Sequence, residues 1–228
     1  MDLPAVSFFG RTLDEYVRFF ALDLARLQRR AVLDVAAGPA SFTVEAHRRG
    51  INAVAVDPLY DRSSRVLAAQ IEQDYARTVT EMRTKPRRFR LDLFSSLAAA
   101  EADRRAAAHR FLADYEGNVR HGRYVRSALP LLPFLDGAFD LVLCAHLLFI
   151  HAARFDFSWH LAACEELVRV SGGEVRIHPV GGADGRPYAE LARLQRELLG
   201  CGVRSAVVPV DYEFFAGSNS MLVLTRPG

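Results

Sequence analysis

Lysine is almost absent: Lys85 is the only one among 228 residues. A phosphate-binding P-loop needs a Gly-Lys pair, and none exists. A Schiff-base enzyme would have to use Lys85, which sits in the charged stretch Thr84-Lys85-Pro86-Arg87-Arg88 and reads as solvated. The three cysteines (Cys144, Cys164, Cys201) are odd in number and lack CxxC spacing. That argues against a disulfide framework or zinc ribbon and suits a reducing cytoplasm. No run of 18 apolar residues occurs, so a transmembrane helix is not expected. The N-terminus lacks a basic region followed by a long apolar one, so no secretory signal is read. Half the residues are hydrophobic and a quarter are charged, the balance of a globular chain.

The net charge is only +2, but it is unevenly spread. Residues 83–126 hold eleven Arg/Lys against five Asp/Glu, an excess of six. The remainder holds 18 against 22, a deficit of four. The stretch RTKPRRFR (83–90) has the charge to meet phosphate, yet Phe89 is its single aromatic, which gives little support for base stacking. A solvated helix end is the plainer reading of it.

Periodicity alternates along the chain. Residues 12–27 read as an amphipathic helix, opened by Thr12 and Glu15 at capping-box spacing. Residues 31–35 (AVLDV) form a short apolar run of the kind a buried parallel strand shows. Small residues follow, then a helix from about Ser41 to Gly50 and a second strand over 51–56. Helices are predicted over 60–82 and, largely, 88–116. Strands are predicted at 124–128 and 139–145, a helix at 159–170, a strand at 174–180 and a helix at 188–199. Two final strands, 204–215 and 220–225, read as an antiparallel pair. Strands alternating with helices imply an α/β sheet covered on both faces. Ligands in such sheets bind at the carboxyl ends of the strands.

Two features there carry chemistry. The loop VLDVAAGPASF (32–42) uses small residues between strand and helix, which lets a ligand approach the backbone. Asp57 follows 23 residues after Asp34, at the end of the next strand, where a carboxylate can accept from both hydroxyls of a ribose. The bland readings are a loop-capping acid at Asp34 and a turn former before proline at Asp57. Together the loop and the spaced acid point to a cofactor containing a nucleoside.

With VLDVAAGPA, AVAVDPLY and LPFLDGAFDLVLCAHLLF in place, nearly the whole chain resembles the class I S-adenosylmethionine-dependent methyltransferases of small-molecule type. The resemblance implies a Rossmann-like three-layer α/β sandwich with a seven-stranded, mostly parallel sheet and a reversed final β-hairpin. It implies one methyltransferase domain over 1–228, with an N-terminal helical cap at 1–30 and a basic helical insertion at 83–122. Carried over by position, Asp34, Ala36, Gly38 and Pro39 would border the methionine part of S-adenosyl-L-methionine. Asp57 would bind the ribose, and Pro58 and Leu59 would flank the adenine. Ser127 and Ala128, with Leu129, would lie at the adenine edge, and Cys144 to His146 would face the reactive methyl.

Three departures from the family pattern stand out. The usual outer glycines of the loop are Ala36 and Ala40, each adding a methyl where the ligand would approach. Ser127 occupies a position that often holds an acid. About 70 residues separate Asp57 from Ser127, leaving room for the basic helical segment.

His146 is the candidate general base, against the plainer reading of a pocket-shaping histidine. His151 and His178 are weaker candidates, and the spacing of His146 and His151 does not suit a metal. Tyr16 reads as core. Residues 146–160, with Phe149, His151, Phe155, Phe157 and Trp159, would line an acceptor pocket.

The expected partner is a small-molecule acceptor, methylated by in-line displacement. No membrane is expected, nucleic acid is not favoured, and nothing speaks to oligomeric state. No Asn/Asp-Pro-Pro-Tyr/Phe motif occurs, which disfavours exocyclic amino groups of bases. The alternative is a non-catalytic nucleoside-cofactor or RNA-binding protein on the same fold. A short-chain dehydrogenase is excluded, because Tyr-x-x-x-Lys would need tyrosine where Glu81 stands.

Overall fold

A computed structural model describes residues 6–90 and 94–226. Among these, seven strands form one sheet: β1 (Ala31–Val35), β2 (Asn52–Asp57), β3 (Tyr124–Arg126), β4 (Phe139–Ala145), β5 (Ser171–His178), β6 (Arg204–Pro209) and β7 (Ser220–Thr225). Their spatial order is β3-β2-β1-β4-β5-β7-β6. The first five strands pair in parallel, while β7 runs antiparallel to both β5 and β6. This is the expected Rossmann-like sandwich with a reversed final hairpin. The strand order turns back between β1 and β4, so their carboxyl ends open the crevice where such sheets bind ligands.

Among the described residues, six α-helices accompany the sheet: α1 (Leu13–Phe19), α2 (Phe42–His47), α3 (Ser64–Thr84), α4 (Leu97–Asn118), α5 (Phe157–Val170) and α6 (Leu191–Gly200). One face of the sheet buries Leu33, Val35, Val142, Val175 and Ile177 beneath α5 and α6. The other buries Val32, Ala53, Leu141 and Leu143 beneath α1, α2 and the segment around Tyr212 and Phe214. Helices α3 and α4 extend that second layer over Ala55 and Tyr124. None of the described helices is long and apolar enough to cross a membrane.

Several elements differ in extent from their predicted bounds. The Thr12–Glu15 capping box forms, with each side chain accepting from the other's backbone N–H (3.2 and 3.0 Å). The helix it opens stops at Phe19 rather than 27. The apolar pattern runs on through the buried Phe19, Phe20 and Leu22, but the helix does not follow it. The chain instead turns through Ala21 in the left-handed region (φ 49°). The region predicted as helical over 88–116 is a 3-10 turn at 86–88 and then α4, whose N-cap is Ser96; residues 91–93 of that prediction lie outside the described residues. The strand predicted over 204–215 ends at Pro209, and 210–219 form a loop whose Tyr212 and Phe214 are buried.

Candidate active-site cavity

A cavity of about 700 Å³ lies over the carboxyl ends of β1, β2 and β4. One end is formed by Ala36, Ala37 and Gly38 after β1, by Asp57, Pro58 and Leu59 after β2, and by Ser127 to Leu129 after β3. The other end is formed by Ala145 to Leu147, Ile150, His151, Phe155 and Trp159 after β4. The N-terminal segment (Val6 to Phe9, Arg11) covers it, together with the carboxyl-terminal part of α3, Lys85, Arg88, Phe89, Phe214 and Phe215.

The loop after β1 is held by the acid after β2. Asp57 is 7% exposed, and its carboxylate accepts from the backbone N–H groups of Gly38 (3.1 Å) and Leu59 (3.0 Å). Burial pushes its pKa up to about 6, although both amides oppose the rise. The Tyr60 hydroxyl donates to the Gly38 carbonyl (2.5 Å), closing the other side of the turn. Ala36 and Gly38 are both left-handed (φ 58° and 55°). A methyl added at Gly38 would meet its nearest neighbour at 3.7 Å, so the backbone angle, rather than space, calls for glycine. Ala36 adopts the same angle with a side chain and lines the cavity. Ala40 does not line it: its methyl packs in the core beneath α1 and α2.

Asp34 sits behind the loop, with 0% exposure. The Tyr16 hydroxyl donates to its carboxyl oxygens (3.1 and 2.9 Å). Burial pushes the Asp34 carboxyl up to about 8, so it is largely protonated at neutral pH. Tyr16 is therefore both the core residue its periodicity suggests and a hydrogen-bond partner of the motif acid. Neither Asp34, Pro39 nor Cys144 lines the cavity; the Cys144 side chain is in the core on the α5–α6 side. Ser127 lines the cavity, and its hydroxyl donates to the Leu131 carbonyl (2.9 Å).

At the β4 end, His146 is left-handed (φ 53°) and its backbone N–H donates to the His178 carbonyl (2.6 Å). Its ring packs against Phe19 and His178, with centroids 5.3 Å from each. Both ring nitrogens are buried without a hydrogen-bond partner among the described residues. Burial, Arg11 and His178 hold its pKa well below the usual histidine range, so the ring is neutral. His178 is pushed down to about 3 by burial, and its Nε2–H donates to the Ser218 carbonyl (3.1 Å); it does not line the cavity. Of the aromatic residues predicted after β4, Phe155 and Trp159 stack on each other (3.7 Å) and line the cavity. Phe149 lies in the core against Tyr188, and the Phe157 ring carries the Arg193 guanidinium (3.8 Å) instead.

The resemblance implies a cap at 1–30, but nothing in the sequence points to the parts of the cover that come from the end of α3 and from Phe214 and Phe215. Phe8, Phe9, Phe214 and Phe215 are adjacent aromatic pairs that look like ordinary core, and no spacing rule connects them to β1 or β4. Gly10 was a signal: a methyl there would meet the Arg104 carbonyl at 2.9 Å and the Pro39 carbonyl at 3.2 Å, so the N-terminal segment lies close on the cofactor-type loop. Among the described residues, no group of three or more His, Cys, Asp or Glu side chains is arranged to hold a metal ion.

No family model matches the sequence. An uncharacterised protein of Methanocaldococcus jannaschii, MJ0045, is 26% identical over 227 residues, spanning 99% of both chains. Magnesium protoporphyrin IX methyltransferase (ChlM) of Synechocystis PCC 6803, crystallised with S-adenosylhomocysteine, is similar over 94% of this chain and 81% of its own, with a TM-score of 0.50 and 12% identity. An S-adenosylmethionine-dependent methyltransferase of Aquifex aeolicus is similar over 93% and 95%, with a TM-score of 0.44 and 15% identity. The likeness to the Synechocystis enzyme, with the sheet order, defines the fold: it is that of the class I S-adenosylmethionine-dependent methyltransferases.

Proposed function

We propose that the protein is an S-adenosyl-L-methionine-dependent methyltransferase acting on a small-molecule acceptor. The observation that carries this reading is the Asp57 carboxylate, buried at the end of β2, facing the cavity and tied to the Gly38 amide of the loop after β1. A buried carboxylate with lone pairs to spare suits the paired hydroxyls of a ribose. Gly38 has no side chain to crowd a ligand, and Ala40 directs its methyl elsewhere. The residues present therefore fit the nucleoside cofactor, with Pro58 and Leu59 as apolar neighbours for its base and Ser127 and Ala128 at the base edge.

When bound, this cofactor supplies a methyl carbon already activated by its sulfonium charge. The chain's own work is positioning and exclusion of water. The cover built from Phe9, Phe89, Phe214 and Phe215 supplies an apolar enclosure. Neutral His146 has one nitrogen able to accept the proton of an attacking hydroxyl or amine and one able to donate. Its low basicity suits orientation of the nucleophile more than early proton removal. Asp34, Pro39 and Cys144 act from behind the loop and strand, as supports. The unpaired cysteines accord with a reducing cytoplasm.

Calorimetric titration with S-adenosylhomocysteine tests the reading. The wild-type protein binds it, and Asp57→Ala weakens the affinity at least tenfold, about 1.4 kcal/mol. Unchanged affinity in an Asp57→Ala protein with a native circular dichroism spectrum would count against the assignment. Absence of binding to the wild-type protein would leave the non-catalytic alternative.

A further inference from the structure

The cover of the cavity holds an unbalanced charge. Arg11 is 8% exposed and lines the cavity. Its Nε and Nη1 atoms are buried without a hydrogen-bond partner among the described residues. Its guanidinium lies over the rings of Phe9 (5.2 Å) and Phe214 (4.9 Å). Arg104, fully buried, lies over the same two rings (5.6 and 4.5 Å). The carboxylate close to both is Glu15, and Arg104 takes it, at 2.6 Å. The remaining Glu15 contacts go to the Tyr212 hydroxyl (2.6 Å) and the Thr12 N–H. Two guanidiniums thus share one carboxylate, and Arg11 is left without a counterion of its own among the described residues. Aromatic faces offset part of that cost, but a buried cation without an anion remains expensive.

From this geometry we infer that Arg11 binds the anionic group of the acceptor, and that the acceptor is a small carboxylic or phosphoric acid with an aromatic or apolar body. The inference rests on the methyltransferase reading for the word acceptor only. The apolar body is matched by the stacked Phe155 and Trp159, by Leu147 and Ile150, and by Phe214 and Phe215. At the mouth, Lys85 and Arg88 also line the cavity, against Glu81. Arg77 is already committed to Asp74 (2.7 Å) and Ser7 (3.0 Å). His146, with both nitrogens free, lines the same cavity and offers the nucleophile's partner.

Benzoate and benzamide, which differ little in shape but differ in charge, serve as probes. Each is titrated by calorimetry into the full-length protein, first free and then saturated with S-adenosylhomocysteine. The expected result is benzoate binding at least about tenfold tighter than benzamide in both states. Arg11→Met abolishes that preference, and Arg11→Lys keeps part of it. Equal binding of the two probes, or no binding of benzoate, by wild-type protein overturns the inference without any variant. It is also overturned if Arg11→Met weakens S-adenosylhomocysteine at least about tenfold while leaving 5′-methylthioadenosine unaffected. Arg11 would then hold the carboxylate of the cofactor. If S-adenosylhomocysteine fails to bind the wild-type protein, the methyltransferase reading falls, and the benzoate preference of the free protein still decides the role of Arg11.

Discussion

Asp34 is an acid kept protonated by its surroundings, and that makes its role measurable. Its folded pKa of about 8 lies above the ordinary value of 3.8, with burial as the main cause. The folded state therefore binds the proton more tightly than the unfolded state. The stability this supplies is fully present below pH about 4 and is lost as pH rises to about 8. Asp57 acts in the same direction, but only up to about pH 6. His146, His151 and His178, all held below the ordinary histidine value of 6.5, act in the opposite direction, an effect that fades about one pH unit above that value as the unfolded histidines lose their protons. Between about pH 7.5 and about 8 the slope belongs chiefly to Asp34. Urea denaturation across that window is expected to show wild-type stability falling with pH. Asp34→Asn, which still accepts from the Tyr16 hydroxyl, should show a nearly flat profile there. A flat wild-type profile would mean that Asp34 is ionised in the folded protein. The same residue shows how a motif misleads: its spacing from Asp57 suggests a ligand-facing acid, while the structure uses its carboxyl to hold α1 to β1.

At the level of elements, the Glu15–Arg104–Tyr212 cluster joins α1, α4 and the loop before β7. Glu15 and Arg104 are both buried, so neither charge is relieved by water if the other is lost. Glu15→Gln leaves Arg104 and Arg11 together without a carboxylate, and is expected to destabilise the protein by roughly 3–5 kcal/mol in urea denaturation. Adding Arg104→Met should restore part of that loss, since an apolar side chain of similar length replaces the stranded charge. A loss below about 1 kcal/mol in Glu15→Gln would place the cluster in solvent contact. This cluster could not be read from sequence, because its members lie 89 and 197 residues apart. Strands β1, β2 and β4 were readable because a central parallel strand is buried on both faces and shows as an unbroken apolar run. The length of α1 was not. Its apolar pattern continues to Leu27, but the chain leaves the helix after Phe19 and turns through the left-handed Ala21, which no spacing rule announces. The end of β6 was not legible either: Tyr212 and Phe214 continue a strand-like alternation but are buried from a loop.

Across the whole molecule, the base of the cavity was legible, while of its cover only an N-terminal cap was expected. Loops after parallel strands follow from topology, so Asp57, Gly38 and His146 could be located by counting strands. The cover comes from 6–11, 77–89 and 214–215, which only the folded chain brings together. The basic character of 83–126 changes meaning on the same scale. Of its eleven basic residues, five are in ion pairs: Arg104 with Glu15, Arg105 with Glu72 and Glu101, Arg110 with Glu45, Arg123 with Asp114, and Arg126 with Asp61. Four of the five draw an acid from outside the segment, so much of the local excess of six is matched by acids elsewhere in the fold. Lys85 and Arg88 turn toward the cavity. Phe89, the aromatic that base stacking would need, is buried against Phe214 and Phe215. Arg83, Arg87, Arg90 and Arg120 remain, which limits the counterions displaced from a phosphate backbone to about four. Fluorescence titration with a single-stranded RNA is therefore expected to give only non-specific affinity, about 10⁻⁴–10⁻⁶ M at physiological salt. The dependence on salt should be shallow, because its slope counts the phosphates neutralised. Binding well below micromolar that collapses between 50 and 200 mM salt, about a thousandfold or more, would restore the RNA-binding alternative and require the ion pairs of α4 to open.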